Sequence, residues 1–403
     1  MEPPSPLSLH HDHPGTLLPP EIYLKIFEDF ILPSRDVAKS DFKVQGTLRQ
    51  LTLSCWLFRH LTLPYLFERI VFDGDRFWKN TDIGRRAWVH AISDGKRPAI
   101  DAASYVKHVV FHYDPKRASE PEANLAQLVT ARPFAEIYCG LLSRMDNLGD
   151  AEFVRCRIFT NHIIALRQLS NLRKVAFREC TWEDSMLETV VPGLGCKVED
   201  VELEYRPRRP ENELDLGVSD WGYKVLNTTT SLRRIVATEV TMLRMIGSKG
   251  QMKLGHIREI CVHFWSLRER TDTERQREYQ LFHEAKHWLP YYPALERLVL
   301  FSSWPGAYGG RPLDRPRKLV QDITDMATAQ FHCLRRLEIL DPSFETTQIM
   351  FKRNLTEDVL KAMVHKVCPS LEYFRFGPLE WTLQSGAWVQ NFRIPTRGKG
   401  AYW

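Results

Sequence analysis

The sequence has little that marks export, membrane insertion or catalysis. No stretch approaches the roughly 18 consecutive apolar residues that a membrane helix needs. Met1 to Thr16 is rich in Pro and His and has no apolar core, so it reads as a disordered arm and not as a signal peptide. Eight cysteines (55, 139, 156, 180, 196, 261, 333 and 368) stand singly, with no C-x-x-C pair. That argues against a disulfide framework and favours reduced thiols in the cytoplasm or nucleus. An excess of one charge is also missing: 55 basic residues against 50 acidic give a net charge of +5. The densest basic spot, Arg206-Pro207-Arg208-Arg209-Pro210, is too brief to argue for a nucleic-acid partner.

What is present is the composition of a globular protein, 43% hydrophobic and 26% charged over 403 residues, enough for two or more cores. His283-Glu284-Ala285-Lys286-His287 has the spacing of a zinc-hydrolase helix, which would set His283 and His287 on one side with Glu284 as base. Lys286 sits inside it, Pro290 and Pro293 follow at once, and no third ligand comes after. A solvated amphipathic helix accounts for the same letters, and zinc hydrolysis stays a minor alternative. Gly306-Ala307-Tyr308-Gly309-Gly310-Arg311 lacks the Lys-Ser/Thr of a phosphate loop, and Pro312 and Pro316 disfavour the helix such a loop requires. His10-His11-Asp12-His13 lies in the Pro-rich arm. The expectation is a non-enzyme without metal or cofactor.

The N-terminal part is helical by pattern. Pro20 suits a first helical position, Ile22, Ile26 and Phe30 recur at four-residue spacing, and Pro33 stops the run. Thr47 is placed to cap a second helix with an apolar stripe of Leu48, Leu51, Cys55, Phe58 and Leu61, and a third is led by Pro64. The Leu18-Pro19-x-Glu21-Ile22 opening, Ile26, the Leu51…Ser54-Cys55…Phe58 core and the Pro64…Leu66-Phe67 close resemble an F-box of the fungal type. Pro33 to Gly46 is about ten residues more than the family spends there. The resemblance implies docking onto the Skp-type adaptor of a cullin–RING ubiquitin ligase, through Leu18, Pro19, Pro20, Ile22, Ile26, Leu51, Cys55, Phe58, Pro64, Leu66 and Phe67. The alternative is that these helices merely cap the larger C-terminal region.

A six-residue pattern (apolar, two variable, apolar, variable, apolar) then recurs eight times. It starts at Val106, Leu172, Val198, Leu232, Ile257, Leu295, Leu334 and Leu371. Such a unit forms a short strand that cannot bury its apolar face alone, and stacking supplies the partner. The array resembles an irregular leucine-rich repeat over about 106–380, with Cys180 alone matching the family's Asn or Cys three residues past the last apolar position. A single α/β domain is the alternative.

The expected fold is therefore α/β: a helical F-box-like module at 17–72 after the arm at 1–16, a connector at 73–105, a solenoid of parallel strands backed by helices at 106–380, and a tail at 381–403. The resemblance implies an adaptor whose solenoid binds a target protein; a plain interaction scaffold is the alternative. Outward strand positions are the candidate target contacts: Lys174, Arg178, Asp200, Glu202, Glu204, Arg234, Glu259, His263, Arg297, Arg336, Glu338 and Arg375. Cross-strand pairing of these charges is the competing reading. Trp182, Trp265, Trp304 and Trp381 each follow a strand, and suit either an interface rim or a core cap.

Overall fold

The computed structural model describes residues 19, 21–26, 41–73, 83–112, 139–178, 180–182, 194, 197–204, 229–238, 255–264, 292–302, 332–340, 368–376 and 379–392. The chain divides between Glu68 and Arg69 into two compact units. The first is helical. Residues 21–26 form helical turns, entered through the Ile22 N–H donating to the Pro19 carbonyl at 3.0 Å. α1 spans Asp41–Ser54 and α2 Trp56–Glu68.

Three boundaries differ from the sequence expectation. α1 begins at Asp41 and not after Thr47, so the end of the Pro33–Gly46 insertion is helix. The expected single stripe from Leu48 to Leu61 is broken at Cys55, which lies between the two helices. Pro64 sits inside α2 instead of leading a helix. It has no N–H to return, and the cost of that gap is offset by apolar packing on both sides of it. Leu48 and Leu61 form the core of this unit, with Tyr23, Leu24, Leu51, Leu57, Phe58, Tyr65 and Leu66 packed against them. Tyr23 meets Phe58 edge to face at 5.3 Å between centroids.

The second unit is built on a twelve-stranded sheet whose strands follow one another in chain order, an arrangement compatible with a solenoid. β1 (Arg69–Asp73), β2 (His108–His112), β3 (Asp150–Val154), β5 (Lys174–Arg178), β7 (Asp200–Glu204) and β8 (Arg234–Thr238) are parallel. β9 (Glu259–Phe264), β10 (Arg297–Ser302), β11 (Arg336–Leu340) and β12 (Tyr373–Phe376) continue the parallel array. β13 (Leu379–Gln384) and β14 (Ala387–Phe392) close it antiparallel. Ser385 and Gly386, with φ of 50° and 83°, make the two-residue turn between them; Gly386 meets the demand for a left-handed residue without strain. The short pair β4 (Arg157–Ile158) and β6 (Thr181–Trp182) forms a separate parallel ladder.

Every hexad read from the sequence lies in one register. The structure adds two: Phe67-x-x-Ile70-x-Phe72 on β1, and Leu148-x-x-Ala151-x-Phe153 on β3. The sheet thus spans 69–392, past both ends of the expected 106–380. Helices α3 (Ile83–Ser93) and α4 (Arg97–Ala103) occupy the expected connector. Fourth positions align from Ile70 to Phe374 and are buried throughout. Sixth positions carry an aromatic stack, Phe72, Phe111, Phe153 and Phe177, with centroids 5.3, 5.1 and 5.5 Å apart. Apolar rings at a strand spacing of about 4.8 Å settle into this offset geometry. Helix α5 (Thr160–Gln168) lies against that side, its His162 ring 5.6 Å from Phe153.

Backbone bonds knit the units at the strand entries. In the eight hexads from Leu148 to Leu371, the second and third residues donate their N–H groups to one carbonyl of the preceding repeat, as Gly149 and Asp150 do to Lys107 and Arg335 and Arg336 to Glu296. After the strands, Cys156 Sγ donates to the Phe111 carbonyl at 3.3 Å and Cys180 Sγ to that of Phe153 at 3.2 Å. Cys156 therefore shares the role expected of Cys180 alone. Burial pushes the Cys156 thiol up to about 12 and Cys180 well above its ordinary value, so both act as donors and not as nucleophiles.

Candidate functional site

Two surfaces carry the residues named as candidate contacts. The first is on the helical unit. Its core claims Leu51, Phe58 and Leu66, three of the residues named as adaptor contacts. Ile22 and Ile26 turn outward, 42% and 50% exposed, because Tyr23 and Leu24 occupy the inner side of the same turns. At the α1–α2 break, Leu53 is 87% exposed and Trp56 is 62% exposed, with Cys55 exposed between them. Pro19 is exposed, while Pro64 and Phe67 are half-buried. Leu18 and Pro20 lie outside the described residues. Leu53 and Trp56 are not singled out in the sequence; they lie off the expected stripe of Leu48, Leu51, Cys55, Phe58 and Leu61, on either side of the break at Cys55.

The second surface is the sheet face opposite the apolar one, made by third, fifth and seventh hexad positions. Most of the expected target contacts lie here, and they bond to one another. Arg178 reaches across Ala176 to Glu152 at 3.2 Å and Glu202 at 3.0 Å, while Lys174 lies 3.8 Å from Glu202. Ala176 stands between those glutamates in the register, and its small side chain leaves the room this span needs. Arg234 bridges Asp200 at 2.7 Å and Glu259 at 2.9 Å. Arg297 bridges Glu259 at 3.0 Å and Glu338 at 2.8 Å, and Arg375 approaches Glu338 at 3.9 Å.

These residues are five cations (Lys174, Arg178, Arg234, Arg297, Arg375) and five anions (Glu152, Asp200, Glu202, Glu259, Glu338), so the ladder is neutral. Glu202, Glu338 and Arg375 are buried within it. Burial pushes the Asp200 carboxyl up against the pull of Arg234 and Lys174, and its Oδ1 has no hydrogen-bond partner among the described residues. Val236, Cys261 and Val299 fill an apolar strip at fifth positions. Arg336 is spent differently, stacked over Tyr373 at 4.7 Å; the Tyr373 hydroxyl donates to Glu380 at 2.9 Å.

Trp381 is buried and lies 5.6 Å from Phe374, so it caps the core and is not a rim contact. The side chains of Glu204, His263 and Trp182 lie outside the described residues, as do Trp265, Trp304, the His10–His13 cluster, the His283–His287 motif and the Gly306–Arg311 loop. Among the described residues, no group of three or more His, Cys, Asp or Glu is placed to hold a metal. Among them, too, no helix is long and apolar enough to cross a membrane.

One buried histidine gives the sheet unit a pH signature. His162 Nδ1 accepts the Phe159 N–H at 3.0 Å, which closes the start of α5. Burial lowers its pKa from 6.5 to about 4. The unfolded chain therefore takes up a proton near pH 6.5 that the folded chain refuses until near pH 4. Full stability is present above pH 6.5 and is lost as pH falls through that window, at about 1.4 kcal/mol per pH unit, levelling off below. His162→Asn, which keeps an acceptor but does not titrate, is expected to flatten this segment of the stability–pH curve measured by urea unfolding.

The comparisons with known proteins place no family beside this geometry: no family model matches the chain, and no curated protein matches it in sequence.

Proposed function

We propose that the chain is the non-catalytic, substrate-recognition subunit of an SCF-type cullin–RING ubiquitin ligase, with an F-box-like helical unit that docks a Skp-type adaptor and a leucine-rich-repeat-like sheet unit that holds a target protein. The observation that carries this reading is the apolar surface left on the helical unit at Ile22, Ile26, Leu53 and Trp56. A helical cap that served only its own chain would bury those side chains internally; two pairs of exposed large apolar residues, one on the turns at 21–26 and one at the α1–α2 break, suit a protein contact. The F-box resemblance of Leu18 to Phe67 supplies the identity of the partner, and the ten in-register hexads support the repeat reading of the sheet. In this role the chain contributes proximity: holding the target beside the ubiquitin carrier makes transfer effectively intramolecular.

The test is titration of purified Skp-type adaptor into the full chain. A Leu53→Asp/Trp56→Asp double variant is expected to weaken binding at least a hundredfold, since a buried Trp contact alone is worth about 2 kcal/mol or more. Both positions are exposed, so circular dichroism should be unchanged. No binding by a folded wild type favours the scaffold reading instead, whereas equal binding by the double variant would move the contact away from Leu53 and Trp56.

A further inference from the structure

The apolar surface at the α1–α2 break is bordered by charge of one sign. From Phe42 of α1 to Phe67 of α2 the chain contains no Asp or Glu, yet it carries Lys43, Arg49 and Arg59. The acidic residues of the two helices are Asp41 and Glu68, at their outer ends. Each lies twelve residues from Leu53 or Trp56, about 18 Å along a helix. Arg49 stands one turn before Leu53 on the outer face of α1, and Arg59 one turn after Trp56 on α2; both are exposed. His60 stacks flat on Trp56, with centroids 5.6 Å apart and planes 7° from parallel, and so holds that ring in place. The turns at 21–26 have no such bias, since Glu21 and Lys25 both flank Ile22.

These cations are also unspent. Neither the Arg49 nor the Arg59 side chain has an ion pair or hydrogen bond among the described residues. On the sheet, by contrast, Arg178, Arg234, Arg297 and Arg375 all meet carboxylates. We propose that this spot selects its partner by charge: an apolar groove on the Skp-type adaptor, flanked by carboxylates, receives Leu53 and Trp56 while those carboxylates pair with Arg49 and Arg59. The inference rests on the docking role given above, and charge complementarity specifies the groove. Buried apolar side chains supply most of the affinity, whereas charges at the rim speed encounter and reject partners of like charge. No internal ion pair has to break when the adaptor carboxylates arrive.

Adaptor titration into the full chain, at about 0.1 M and about 1 M salt, tests this; between them the screening length falls from about 10 Å to about 3 Å. An Arg49→Glu/Arg59→Glu double variant is expected to bind about tenfold or more weakly at the lower salt, chiefly through slower association. At the higher salt it should approach the wild type. Arg144→Glu/Arg167→Glu makes the same change in net charge at exposed positions of the sheet unit, and should bind as the wild type does. Circular dichroism of both variants should match the wild type, since all four positions are exposed. Unaltered binding by the first variant at the lower salt, or equal weakening by the second, would overturn the charge selection and leave the docking role standing. A folded wild type that binds no adaptor at either salt would remove the docking role itself, and the charge selection with it.

Discussion

Phe153→Ala is expected to cost about 3–5 kcal/mol of unfolding free energy. The ring is fully buried and stacks on Phe111 on one side and Phe177 on the other, with the His162 edge against it. Truncation therefore opens a void between two rungs that are held in place by backbone bonds from both neighbours, and they have little freedom to collapse into it. Phe153→Leu keeps most of the volume and should cost well under half as much. Chemical denaturation followed by intrinsic fluorescence measures both; a Phe153→Ala loss below about 1 kcal/mol would mean that the stack contributes little beyond filling space.

Arg297→Ala should have the second large effect, a loss of about 2 kcal/mol. Arg297 donates to Glu259 and Glu338 at once, and Glu338 is buried with Arg375 as its next ion-pair partner, 3.9 Å away. Without the guanidinium, a buried carboxylate keeps its desolvation penalty and loses its two close donors. Arg297→Lys should recover only a minor part, because one ammonium cannot span two carboxylates on neighbouring strands. Glu338→Gln in the Arg297→Ala background should restore stability, since it removes the stranded charge. A midpoint unchanged by Arg297→Ala would show that the ladder is solvated and inert.

The neutrality of that ladder also bears on how a target is held. With five cations matched by five anions, the ladder itself has no net charge to steer a partner, so the proposed target contact through it should depend weakly on salt. The residues expected from sequence to read the target are largely committed to one another. Cross-strand pairing is the competing reading of the sequence, but which residue meets which is not legible there, because the partners lie 24 to 41 residues apart in the chain, as with Arg178 and Glu202 or Arg297 and Glu338. Only the strand register brings them together.

The hexad itself was legible because its apolar spacing is a direct consequence of one-sided strand burial. Two copies escaped for local reasons. Phe67 belongs both to the helical close and to the first hexad, and the copy at Leu148 has only Ala151 at its fourth position. Missing that copy also hid the role of Cys156. The hairpin at 379–392 carried its own signal in Ser385-Gly386 between alternating apolar residues, yet sequence alone assigned 381–403 to a tail. In the helical unit, a four-residue spacing placed Ile22 and Ile26 on a common face but could not say which way that face turns. Tyr23 and Leu24, bulkier together, take the core and leave the isoleucines outside.

Hydrogen–deuterium exchange of the full chain, with and without saturating Skp-type adaptor, addresses the proposed function most directly. Added protection should fall on residues 21–26 and on the α1–α2 break around Leu53 and Trp56, with the sheet from β2 to β14 unchanged. Protection confined to the sheet, or none anywhere at saturating adaptor, would contradict the assignment of the helical unit as the docking module.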